Sequence, residues 1–139
     1  MKSLKRGDMY VLRLERGERI VEALTDFCER QGIRAGSFNG LGTCRNAELG
    51  FFIIERAAYE IRSFPEDYEI VALHGNVSLL EGKPLIHAHA VLSDGAFRCW
   101  GGHLREAEVL ATCEIFLRPE EGDLPRGNNP QSGLRPLLD

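Results

Sequence analysis

The sequence predicts an α+β domain: a mostly antiparallel β-sheet with one main helix packed on it. Three observations predict it. Residues 18–31 carry their apolar side chains at helical spacing. From residue 47 to 118 the chain falls into short strand-like runs separated by turn residues. Between two of the longest runs lies EGKP (residues 81–84), a hairpin signal.

Taken in order, Met9–Glu15 alternates apolar and polar side chains, with Tyr10, Leu12 and Leu14 on one side, and reads as a half-buried strand. Gly17 punctuates. In the helix that follows, Ile20, Val21, Leu24, Phe27 and Cys28 form one stripe. Glu18 in its first turn suits the helix dipole, and Gly32 suits a left-handed cap at its end. The passage GSFNGLGT (36–43) has Gly40 and Gly42 but no further glycine three positions on and no helix pattern after it, which argues against a dinucleotide fingerprint. Close backbone approach or a bulge accounts for its glycines better. Strands are then expected over 47–54, 58–64, 69–80, 85–93, 96–101 and 109–118. Residues 1–118 form the domain, and 119–139, rich in Pro, Gly, Asn and Ser, read as an extended or disordered tail whose Leu134, Leu137 and Leu138 could dock on a neighbouring subunit.

At 139 residues the chain is one domain of common size and buries enough surface to fold without disulfides or metal. No apolar run reaches the roughly 20 residues of a membrane span, and the basic N-terminus leads into no signal-peptide core, so a cytoplasmic protein is expected. Cys28, Cys44, Cys99 and Cys113 have no C-x-x-C spacing and read as buried apolar residues or spare thiols rather than a zinc ribbon. A net charge of -4 argues against a surface built chiefly for nucleic acid, although the N-terminal strand is locally basic.

The four histidines are His74, His87, His89 and His103. In a strand over 85–93, His87, His89 and Val91 share one face, and Ile86, Ala88, Ala90 and Leu92 share the other. Residues two apart along a strand lie about 6.5–7 Å apart, a separation from which two imidazoles can converge on one ion. His103 follows CWGG (99–102), a run that reads as the end of the next strand and whose two glycines leave room for an ion against the backbone. The three therefore form a candidate site for a divalent metal, and neutral imidazole suits Zn, Fe, Ni or Cu. His74 reads as an ordinary strand histidine. Asp94, Glu48, Glu69, Arg45 and Glu114 are candidate acid–base partners that no spacing singles out; Asp94 also fits a turn. Trp100 reads as core or interface.

The order of GERI (17–20), GLGT (40–43), AELG (47–50), LHGNVS (73–78), HAHAVLSD (87–94) and GGHL (101–104) resembles the plants-and-prokaryotes conserved (PPC) domain, in its stand-alone bacterial and archaeal branch, over about residues 5–118. The resemblance implies an α+β subunit assembled as a homotrimer, with a metal, zinc first, at the positions of His87, His89 and His103. It also implies an association or regulatory module with a provisional DNA-binding label. Plant relatives contact A·T-rich minor grooves through a separate Arg-Gly-Arg hook; here PRGN (125–128) lacks the second Arg. A more distant likeness of fold to acetolactate decarboxylase, which holds zinc on an H-x-H pair and a later His, suggests the alternative of a metal-dependent lyase or hydrolase acting on a small oxygenated molecule. No Arg and Glu at matching positions for that chemistry are identifiable.

Overall fold

The computed structural model describes residues 1–130 and 132–137. Its strands are β1 (Lys2–Arg6), β2 (Met9–Glu15), β3 (Gly36–Ile53), β4 (Ala58–Phe64), β5 (Tyr68–Leu80), β6 (Lys83–Ser93) and β7 (Cys99–Pro119), with one helix, α1 (Ile20–Gln31). The seven strands make one antiparallel sheet in the order β1-β2-β7-β6-β5-β3-β4. A further antiparallel pairing of β3 with β7 joins the sheet back on itself, so that β7, β6, β5 and β3 run round a closed ring.

Closure depends on β3 and β7 approaching tightly, and here the glycine-rich passage has its use. A Cβ on Gly40 would lie 2.6 Å from the carbonyl oxygen of Glu114, and one on Gly42 only 2.3 Å from that of Thr112. The register shifts between these two glycines and again beyond Gly42, as a bulge requires. The β5–β6 hairpin turns on Glu81 and Gly82, both with positive φ, which matches the twist of the flanking strands.

Helix α1 packs Ile20, Leu24, Phe27 and Cys28 into the core and lies against β6 and β7. Gly32 ends it in the left-handed conformation, as its sequence position suggests. The start differs from the expectation. Glu18 lies outside the helix, accepting from the Met1 ammonium at 2.7 Å. The first-turn N–H groups of Val21 and Glu22 instead donate to the carboxylate of Glu106 on β7, at 2.9 and 3.1 Å. All four cysteines are free; burial pushes the thiols of Cys28, Cys44 and Cys113 up to about 12, so these three act as apolar filling.

The residues after β7 run as an extended strap. Leu79 N–H donates to Leu124 O and Arg126 N–H to Leu79 O; further on, Gly127 N–H donates to Pro136 O and Asn129 N–H to Leu134 O, and Leu137 pairs with Arg126. Arg34 holds the strap's start through both carboxylate oxygens of Asp123. Leu138 and Asp139 lie outside the described residues. Among the described residues no helix is long and apolar enough to cross a membrane.

Glu106 is almost fully buried and accepts a third N–H, from Ala107, at 2.8 Å. Glu106→Ala leaves two helix N–H groups and the dipole unmet, and should cost about 2 kcal/mol, with Glu106→Gln costing roughly half that. Urea unfolding of both variants checks this; equal midpoints to wild type would refute the cap.

Candidate metal centre

Strand β6 sets the site by simple alternation. Ile86, Ala88, Ala90 and Leu92 are buried in the core, so His87 and His89 point the other way. Gly75 on β5 lies opposite Ala88, between the two histidines, and its missing Cβ lets the strands meet; a methyl there would fall 2.1 Å from His87 O and 2.5 Å from Phe38. On the other side of β6, His103 of β7 lies directly opposite His89. One nitrogen from each of His87, His89 and His103 lies within 4.8 Å of the others. Tetrahedral zinc with bonds near 2.05 Å wants its donors about 3.3 Å apart. Rotation of these rings about χ1 and χ2, with the exposed His89 the freest, would bring the donors toward that spacing.

His103 is held on its far face. Tyr59 of β4 stacks on it, ring centroids 4.7 Å apart at 28°. Gly50, opposite His103 in β3, makes room for that ring, since a Cβ there would sit 2.9 Å from Tyr59 Cδ1. The Nδ1 of His103 is buried with no hydrogen-bond partner. An imidazole with an unpartnered buried nitrogen, gathered with two other imidazoles, fits a metal ion, which needs lone pairs and not donors.

The protonation states agree. Burial, then Arg126, His103 and His89, pull His87 down to about 4. Burial and His89 lower His103, and burial and His74 lower His89. All three are therefore neutral at pH 7. Arg126 of the strap donates to His87 Nδ1 at 3.1 Å. Because guanidinium only donates, neutral His87 then carries its proton on Nε2. For Nε2 to bind a metal, that proton must move to Nδ1 and Arg126 must release it.

The three histidines open onto a cleft of about 500 Å³, walled also by Tyr59, Phe52, Leu85, Arg126 and the strap residues Gly133–Pro136. His74 pairs with His89 across β5 and β6 but is exposed and outside the group of three. Arg45 pairs with Asp67, and Glu48 with Arg105, away from the cleft. Asp94 closes the β6–β7 turn by accepting from the N–H groups of Ala96 and Arg98. Trp100 packs on Phe64 and Tyr68. Arg126 and Tyr59 escaped the sequence reading. The only signal for Arg126 was its place in the incomplete hook PRGN.

Residues 1–120 match the model of the Plants and Prokaryotes Conserved (PCC) domain. The chain belongs to this family. Its fold is that of solved relatives along nearly their whole length. A metal-containing protein of Archaeoglobus fulgidus is 36% identical, with a TM-score of 0.89, over 97% of this chain and 96% of that one. A plant- and prokaryote-conserved protein of Pyrococcus horikoshii is 31% identical, with a TM-score of 0.86, over 96% and 94%. A protein of Bacteroides thetaiotaomicron, provisionally described as DNA-binding, is 30% identical, with a TM-score of 0.95, over 98% and 95%. The bifunctional protein GlmU of a Synechococcus strain is 32% identical over 113 residues, which are 78% of this chain and only 17% of that protein. The strap from residue 121 onward lies beyond the family match.

Two outcomes follow from this geometry. The folded pKa of His87 lies below its ordinary 6.5, so the unfolded chain binds more protons as pH falls below 6.5. Stability of the metal-free protein is therefore fully present above pH 6.5 and declines toward about pH 4. Thermal unfolding in chelator across that range should show the decline, and His87→Gln should flatten it. Gly75→Ala should cost about 3 kcal/mol through its backbone clash, read as a fall in the urea midpoint.

Proposed function

We propose that this chain is a cytoplasmic, homotrimeric association module of the Plants and Prokaryotes Conserved family that holds one divalent ion on His87, His89 and His103. The observation that carries the proposal is the convergence of three neutral imidazoles, one of which, His103, keeps a buried Nδ1 without a hydrogen-bond partner. Zinc is the first choice of ion, because three histidines and an open fourth position are a familiar zinc arrangement. The metal-containing description of the Archaeoglobus relative supports a metal on this fold. Trimer formation has support in large apolar side chains left on the surface of a single chain: Phe51 and Ile54 are each 75% exposed, and Phe97 89%.

DNA is the weakest of the proposed partners. It enters through the provisional descriptions of relatives, while the charge of -4 supplies little of the phosphate attraction on which non-specific binding depends. A second reading, a metal-dependent lyase or hydrolase on a small oxygenated substrate, is favoured by one observation: the histidines face a cleft of about 500 Å³ rather than closed protein. An ion held there would polarise a carbonyl or activate water.

Elemental analysis tests the shared premise. Wild-type protein should carry about one metal per chain and His89→Ala less than roughly a tenth of that, since two remaining imidazoles bind far more weakly. Equal content in both sinks the site. Light scattering should give the mass of three chains, and an A·T-rich duplex should shift only at low salt, if at all.

A further inference from the structure

The cleft beside the histidines is cationic on one side and apolar on the other, in a protein whose net charge is -4. Among the described residues no Asp or Glu lines it. Arg126 reaches in from the strap, and among the described residues every partner of its guanidinium is neutral: Ser78 Oγ at 2.7 Å, Asn76 Oδ1 at 2.8 Å, Arg135 O at 2.8 Å and His87 Nδ1 at 3.1 Å. Arg34, between α1 and β3, has Asp123 at the strap's start as its counter-ion. Arg126 is partly desolvated and has no counter-ion among the described residues, which is costly for a charge unless something anionic joins it. Arg135 lines the same cleft. An ion on the histidines would add two further positive charges within the same walls.

We propose that this cleft binds a small organic carboxylate with an apolar body, received by the guanidinium of Arg126 beside the histidine-bound ion. The apolar walls, Phe52, Tyr59, Leu85 and Leu134, select the body. A bare phosphate would stay hydrated and gain nothing from them. Guanidinium has five N–H donors, of which Ser78, Asn76, Arg135 and His87 take four. When His87 turns its Nε2 to the ion, its Nδ1 becomes protonated and gives back the Arg126 Nη2–H. Two N–H groups are then free for the two oxygens of a carboxylate. Ion and carboxylate thus favour each other's binding, and by linkage to the same extent in both directions.

The ion in this inference rests on the metal reading above; the role of Arg126 does not, and the test separates them. Benzoate, benzyl alcohol (the same body without charge) and inorganic phosphate (charge without the body) are titrated calorimetrically into the full chain, metal-free and zinc-loaded. Benzoate should bind at least about tenfold more tightly than either of the others to the zinc-loaded protein. Zinc and benzoate should each raise the other's affinity by an equal factor. Arg126→Gln should abolish the preference for benzoate and Arg126→Lys keep part of it, both with circular dichroism of the folded protein. Benzoate no better than benzyl alcohol in both forms overturns the proposal, as does phosphate binding more tightly than benzoate. Should zinc fail to bind, the metal reading falls; a benzoate preference in metal-free protein, lost in Arg126→Gln, would still sustain the carboxylate site, and its absence would overturn that too.

Discussion

The register of β7 is the constraint on which the rest of this structure depends. Its 21 residues pair with β2, β6 and β3. Side chains alternate with period two, so a slip of one residue would turn His103 into the core and set Leu104 in the cleft. The register is fixed at several points at once. Gly102 admits the carbonyl of Gly50 to a place where a Cβ would stand 2.8 Å away. Three residues after His103, Glu106 turns inward to receive the first N–H groups of α1. The strand that delivers the third histidine therefore also anchors the helix, and helix docking and site geometry are parts of one packing solution.

The electrostatics of the site grow from that packing. Neutral imidazoles are costly to gather in a half-buried place unless their lone pairs are used. Here Arg126 uses one, at His87, while His103 keeps a buried nitrogen without a partner. The strap and any metal ion held there would thus compete for the same imidazole through its tautomer, and Arg126 would be as much a part of such a centre as the histidines.

Local patterns were legible in the sequence; contacts between distant residues were not. The strand bearing His87 and His89 could be read because alternation is a two-residue signal, and β2 and β4 kept the bounds their alternation gave. β1 was invisible because all five of its residues are exposed, leaving no apolar period to see. β3 extends back through glycines whose close approach could be read from the sequence but whose partner, β7, could not. The helix begins two residues later than its periodicity suggests because its cap, Glu106, comes from a strand 85 positions away. Tyr59 reaches His103 only because Gly50, on a third strand, leaves it room.

Arg126 is the sharpest case. In the sequence it stands in a proline- and glycine-rich tail and looks like half of a minor-groove hook. In the structure, backbone bonds between the strap and Leu79 carry it to Asn76, Ser78 and His87. The family match ends at residue 120, before this segment begins. A relative with the same three histidines and another C-terminal segment would therefore present the same ligands behind a different wall, with a different charge facing the ion. On the metal reading, the family portion of the chain supplies the ligands and the strap sets what can approach them.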